Sequence, residues 1–302
     1  EAKAVPLALV KRAKADPLKI TLITGASLGN DLDKQLTEAG VLARRLPFQV
    51  DNTLRKAINK GEVMFIDQHL SETVEQMRNK QLKKPDIAVI EAVAITEDGG
   101  IIPTTSVGNS ASFAIFAEKV IVEINTNLSP AFEGLHDIYI PSYRPTRQPI
   151  PLTEVDERIG TQAINIDPSK IVGIVINSEF HDSPSTVTEP DDETQGIANH
   201  LIAFFEKEVA EDRLPKNLGP LQAGIGSIAN AVLTGLKDSN FEDLIMYSEV
   251  LQDCTFELID AGKMKFASGS SITLSAKYGE KVFNNLEAYK DKLVLRPQEI
   301  SN

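Results

Sequence analysis

The stretch IMYSEVLQD sets one carboxylate, Glu249, among Ile245, Met246, Tyr247, Val250 and Leu251. A charge in such company costs several kcal/mol unless it is paired, solvated or reactive. About 20 residues upstream lies AGIGSIANA (223–231), whose residues Gly224, Ile225, Gly226, Ser227 and Ile228 form a glycine-rich turn ahead of the helix-compatible SIANAVLTGL. Glycine allows backbone N–H groups to approach a ligand closely, and a helix N-terminus favours negative charge. Glu249 is thus either the solvated edge of an apolar element or a carboxylate placed to react, and the turn could present donors to an anion.

The same turn supports a rival reading. Gly224, Gly226 and Ala229 satisfy the dinucleotide fingerprint G-x-G-x-x-A, and Glu249 follows 20 residues after Ala229, as a ribose-binding acid would. Against a nicotinamide-dependent oxidoreductase, LPKNLGPLQAG supplies only Leu221 and Gln222 before the turn, too little to predict a strand. Glu249 also reads as lying inside its apolar run, not at a strand end.

Two further strand-then-glycine junctions, TGASLGN (24–30) and TTSVGNS (104–110), fall where α/β proteins place ligands. Ser27, Thr104, Thr105, Ser106, Asn109 and Ser110 could bond an anion there or serve as turns and caps. Ser27, Ser106 and Asn109 are candidate contacts for a carboxylate substrate. The four histidines are scattered, and His69, after VMFID, is either a general base or a structural residue. Neither a nucleophile elbow nor a phosphate-binding P-loop occurs.

Composition narrows the classes. The 302 residues carry 43 acidic and 31 basic side chains, a net charge of −12, which argues against non-specific nucleic-acid binding. Cys254 is the single cysteine, so neither an intrachain disulfide nor a cysteine zinc cluster is expected, and a reducing, cytoplasmic setting is. No apolar run approaches the roughly 18 residues of a membrane span. The opening EAKAVPLALVKRAKADP reads as an amphipathic helix with no cap before it and not as a signal peptide, so the chain is expected to begin inside a longer sequence.

The elements that must position these residues follow a βα rhythm. KITLIT (19–24), VMFID (63–67), DIAVIEAVAI (86–95), KVIVEIN (119–125) and KIVGIVIN (170–177) are continuously apolar, as parallel strands buried on both faces are. NDLDKQLTEAG and NTLRKAINKG read as helices with an Asx start and a glycine stop. The predicted class is α/β with mostly parallel sheets. SEFHDSPSTVTEPDDET (178–194) breaks the rhythm and reads as a linker, giving domains 1–187 and 188–302; a long amphipathic helix is predicted over 195–213.

Three separated motifs, AGIGSIANAV (223–232), YSEVLQD (247–253) and LRPQEISN (295–302), supported by GEVMFIDQHLSE, the GNS loop and DERIGTQA (156–163), resemble the acetyl-CoA hydrolase/transferase family. That family includes succinyl-CoA:acetate CoA-transferases. The resemblance implies two similar α/β CoA-transferase-type domains, the second incomplete here and lacking another glycine-rich loop. It implies a nucleophile at Glu249, an oxyanion-hole amide at Asn302, and acyl-CoA contacts from Gly224 to Ile228. It further implies CoA transfer between acyl-CoA and small carboxylates without a bound cofactor or metal, with acyl-CoA hydrolysis by the same residues or an inactive CoA-binding fragment as alternatives, while charge and hydropathy argue against a nucleic-acid or membrane partner. The expected assembly is a homodimer in the cytoplasm, or in the mitochondrial matrix of a eukaryote. Relatives often carry Asn where this chain has Ser227, which bears on loop geometry and acyl preference.

Overall fold

A computed structural model describes residues 1–26, 31–180, 182, 184–185 and 191–301. The chain divides into two compact units: Glu1–Pro149 with Thr161–Ser183 and Pro297–Ile300, and Ile150–Gly160 with Pro184–Arg296 and Ser301–Asn302. The linker boundary expected between 187 and 188 lies outside the described residues.

The first unit runs α1 (Ala4–Ala15), β1 (Ile20–Ile23), α2 (Leu32–Glu38), β2 (Leu42–Leu46), α3 (Asn52–Asn59), β3 (Met64–Phe65), α4 (Leu70–Arg78), β4 (Ile87–Ile95), β5 (Ile101–Pro103), α5 (Ser110–Phe116), β6 (Lys119–Asn125) and β7 (Ile171–Asn177). Strands β1, β2 and β3 form a parallel sheet in that order. Beneath it Leu36, Val41 and Leu54 are fully buried, the apolar core that makes these short elements stable. A second sheet has the order β5-β4-β6-β7, parallel except for the β4–β5 pair.

Several sequence expectations change here. Strand β2 was hidden by Arg44 and Arg45; Arg45 is fully buried because Asp33 accepts from its Nε at 2.9 Å and from Nη2 at 3.1 Å. Paired in this way, a guanidinium tolerates a core position. Strand β7 is not covered on both faces: it is a sheet edge, and Val172, Ile174 and Ile176 are exposed on one side. Helix α3 has its expected Asx start, one residue ahead of Asn52: the Asp51 carboxylate accepts from Leu54 N at 2.8 Å.

Helix α1 does have a cap, from a distant strand. Glu123 of β6 is fully buried, and its carboxylate accepts from the backbone N–H groups of Lys3, Ala4 and Val5 at 2.9–3.0 Å and from the Asn177 amide at 2.9 Å. Three of the donors left over at a helix start are thereby satisfied by an anion at the positive end of the helix.

The second unit runs α6 (Asp192–Ala210), β8 (Pro220–Leu221), α7 (Ser227–Asp238), β9 (Leu244–Tyr247), β10 (Val250–Leu251), α8 (Asp253–Asp260), β11 (Met264–Gly269), β12 (Ser271–Ile272), α9 (Ala276–Phe283) and β13 (Leu293–Leu295). Its main sheet has the order β13-β11-β9-β8, all parallel, and β10 pairs with β12. Helix α6 begins inside the segment expected as linker, because Asp191 caps it by accepting from Thr194 N at 2.9 Å. A last short helix, α10 (Gln298–Ser301), follows β13 in sequence. Among the described residues no helix is long and apolar enough to cross a membrane.

Candidate active site

Strand β8 answers the first objection to a ligand-binding glycine loop. Pro220–Leu221 pairs in parallel with Ile245–Met246 of β9, so the turn at Gly224 does follow a strand and does open a helix. The strand was missed because it is only two residues long and starts with proline, which offers no N–H to a ladder. Gly226 then takes φ +148°, a backbone state that side-chain-bearing residues rarely adopt, and becomes the N-cap of α7. As a glycine, this N-cap residue offers no side chain to the first turn of α7, whose N-terminal peptide groups form an anion-favouring helix end.

Glu249 lies just past the carboxyl end of β9 and immediately before β10. Burial alternates through this segment: Met246, Ser248 and Val250 are buried, whereas Ile245, Tyr247 and Glu249 are half-buried. The carboxylate is therefore not sealed in a core: Met246 and Val250 belong to the opposite face, while Ile245 and Tyr247 share its own. Tyr247 beside it is packed with Val155, Phe266 and Val294, and burial pushes its phenol above the ordinary tyrosine value.

The main chain at Glu249 is held from the β11–β12 junction. Its carbonyl accepts from Ser270 N at 2.7 Å, Ser270 Oγ at 2.9 Å and Ser271 N at 3.2 Å. Gly269 is required there by space, since a Cβ would lie 2.8 Å from Leu251 Cγ and 3.4 Å from the Glu249 carbonyl oxygen.

Side chains on either side of Glu249 bind the glycine loop. Ser248, fully buried, accepts from Ala223 N at 3.3 Å and donates to Ala223 O at 3.1 Å. Gln252 donates from Nε2 to Gly224 O at 3.2 Å. The sequence carries no local sign of these contacts, because the partners are 25 and 28 residues apart. Behind the strand, Arg296 is fully buried and donates from Nε to Ser268 Oγ at 2.9 Å and from Nη2 to the carbonyls of Val155, at 3.1 Å, and Glu157. Cys254 is buried, and burial pushes its thiol up to about 12, so it is held as a neutral packing group.

A groove of about 570 Å³ runs from the loop along α6 and α7, lined by Leu201, Phe205, Leu221, Val232 and the whole of 222–229. Ile225 and Ile228 are 63% and 48% exposed on its rim, so the loop offers backbone donors beside apolar surface.

The remaining candidates divide. Ser106 and Asn109 belong to the first unit. Ser106 is exposed; Asn109 is buried at the start of α5 and donates to Leu70 O at 3.1 Å. The loop carrying them is pinned to the start of α10 by Gln298 N donating to Gly108 O at 2.8 Å. A Cβ placed on Gly25 would sit 3.6 Å from Asn109 N, so Gly25 lies against the start of α5. Ser27 and Asn302 lie outside the described residues. His69 is the N-cap residue of α4 and makes no side-chain cap bond; its carbonyl accepts from Thr73 N at 3.2 Å. Among the described residues no group of three or more His, Cys, Asp or Glu could hold a metal ion.

Comparison with known proteins adds a second line. The family described as acetyl-CoA hydrolase/transferase N-terminal domain matches residues 1–176. Over 302 residues the chain is 45% identical to a succinyl-CoA:acetate CoA-transferase of Clostridium kluyveri, covering 99% of this chain and 56% of that protein. It is 43% identical to an acetyl-CoA hydrolase of Schizosaccharomyces pombe, covering 99% of this chain and 59% of the relative. The chain thus spans a little over half the length of these relatives. In fold it is similar to RipA from Yersinia pestis, with a TM-score of 0.67 at 17% identity, over 99% of this chain and 62% of that one. A 4-hydroxybutyrate CoA-transferase from Porphyromonas gingivalis gives a TM-score of 0.58 at 18% identity, over 99% and 68%. Identity above 40% along almost the entire sequence, with a family match over more than half of it, leaves one assignment: the chain belongs to the acetyl-CoA hydrolase/transferase family.

Proposed function

We propose that this protein moves CoA between small carboxylic acids, such as acetate and succinate, with Glu249 as the covalent nucleophile. The observation that carries the reading is the juxtaposition of neighbouring strand ends: the glycine loop leaves β8, Glu249 follows β9, and the two strands are paired. The relatives named as a succinyl-CoA:acetate CoA-transferase and as acetyl-CoA hydrolases support the substrate class.

The Glu249 carboxylate attacks the acyl carbonyl of an acyl-CoA, and CoA thiolate leaves, giving an acyl-glutamyl anhydride. The thiolate then attacks the glutamyl carbonyl, releasing the first carboxylate and leaving a glutamyl-CoA thioester. A second carboxylate reverses both steps and departs as the new acyl-CoA. Thioester is exchanged for thioester, so the sequence balances without ATP. Each tetrahedral intermediate needs donors aimed at its oxyanion, and one such donor is typically worth about 3 kcal/mol. Residues 224–228 supply backbone N–H groups at the start of α7, and Asn302 supplies an amide for the glutamyl oxyanion. Ser27, Ser106 and Asn109 are the proposed contacts for the carboxylate acceptor. The apolar groove beside Ile225 and Ile228 receives the CoA thioester arm and lowers water activity around the anhydride.

A CoA-transferase exchanges label between acyl-CoA and free carboxylate far faster than it releases CoA. At full natural length, Glu249→Ala and Glu249→Gln are expected to lose exchange by at least about 10³-fold. Unchanged exchange in Glu249→Ala would contradict the reading. Acyl-CoA hydrolysis is the second reading, favoured by relatives named acetyl-CoA hydrolase; CoA release unaffected by added acetate or succinate would support it instead.

The strand-loop-helix around Gly224 and the position of Glu249 past β9 remove both sequence-based objections to a dinucleotide site. Family membership, not local geometry, weighs against that alternative, and NAD(P) binding in a calorimeter would revive it. The homodimer and the cytoplasmic or mitochondrial-matrix location remain part of the proposal. Sedimentation of the full-length protein as a monomer would remove the dimer.

A further inference from the structure

We propose that Ser248 and Gln252 are positioning residues that hold the glycine loop in register with the nucleophile; the inference rests on the CoA-transfer reading above. Gly224, Ile225 and Gly226 are exposed, and a turn so open has little packing to fix it. Ser248 uses its hydroxyl twice on one loop residue, accepting from Ala223 N and donating to Ala223 O. Gln252 holds the next carbonyl, Gly224 O. These side chains stand one residue before and three residues after Glu249, so the carbonyl-to-donor distance in the reaction is set by the same segment that carries the nucleophile.

That segment is itself fixed. Ser248 N donates to Ser268 O at 2.9 Å, and the Glu249 carbonyl is held by Ser270 and Ser271. The loop thus inherits its place from β11 through β9. A loop freed at Ala223 and Gly224 would still present an apolar surface to acyl-CoA, yet its N–H groups would no longer sit where the oxyanion forms. Misplacement of this kind affects the chemical step more than binding, and about 1 Å can cost on the order of 100-fold.

The test compares unsubstituted full-length protein with Ser248→Ala, Gln252→Met and Ser248→Thr. Measurements are the single-turnover rate of Glu249 modification, trapped with borohydride and quantified by peptide mass analysis, and acetyl-CoA affinity by calorimetry. Ser248→Ala and Gln252→Met should each slow modification by about 10- to 100-fold while acetyl-CoA affinity changes by less than about threefold. Ser248→Thr, which keeps the hydroxyl, should recover most of the rate. Modification at the unsubstituted rate in folded Ser248→Ala and Gln252→Met would overturn the inference alone. If Ser248→Ala fails to fold, Gln252→Met, at a half-buried position, decides the matter. An absent adduct in the unsubstituted protein would overturn the functional reading and this inference with it.

Discussion

Around Glu249 burial alternates residue by residue, and this decides what the carboxylate can meet. The half-buried positions Ile245, Tyr247 and Glu249 share one face while Met246, Ser248 and Val250 fill the other, so the carboxylate keeps access to solvent and to a ligand. Gly269 is the residue on which this arrangement turns. Gly269→Ala would drive a methyl into Leu251 and against the Glu249 carbonyl. The expected cost is about 1–3 kcal/mol of stability, read by chemical denaturation. Exchange activity is expected to fall further than stability explains, and full activity in Gly269→Ala would show that the Glu249 main chain tolerates displacement. The candidate nucleophile and glycine loop were legible as residue types in the sequence. Ser248 and Gln252 were not, because each is defined by a backbone partner more than twenty residues away in sequence.

Among the elements, strands β1, β4, β6 and β7 were legible as β-branched runs, and α3, α6 and α7 as periodic stretches. Features held by charge or by distant partners were not: β2 depends on the Arg45–Asp33 pair, and α1, a helix the sequence did show, takes its cap from the distant Glu123. The same holds for α10, whose Glu299 accepts from Arg78 Nη1 and Nη2 at 2.5 Å, with Glu75 accepting from Arg78 Nη1 at 2.7 Å. Arg78 is 1% exposed and Glu299 is buried. Arg78→Met would leave Glu299 buried without its main partner, at an expected cost of about 3–5 kcal/mol in chemical denaturation. A loss below about 1 kcal/mol would show that Arg147, whose Nη1 lies 3.3 Å from Glu299 Oε1, takes over the role.

The same cluster has a pH signature. Although burial acts to raise it, the carboxyl of Glu75 is held below the ordinary value by the Asn79 hydrogen bond and by Arg147, Arg78 and Arg144. A carboxylate with a depressed folded-state pKa stabilises the fold above its unfolded value, about 4.3, and that contribution is lost as pH falls through the folded value. Glu75→Gln should therefore flatten the acid side of the stability profile below about pH 4. An unchanged acid limb would show that the depression of Glu75 is not coupled to folding.

For the molecule as a whole, fold class and family were legible because both are spread over many residues: apolar runs for the α/β class, three ordered motifs for the family. Unit boundaries were less so, since residues 150–160 cluster with the second unit and 297–300 with the first, a distribution no local composition marks. The chain spans 56–59% of the two relatives described above, so the central claim is tested on the protein at full natural length. Incubation with acetyl-CoA, borohydride reduction and peptide mapping should find the Glu249 side-chain carboxyl converted to a primary alcohol, with loss of the product when succinate is added before reduction. An unmodified Glu249 in protein that exchanges acyl groups at full rate would contradict the account.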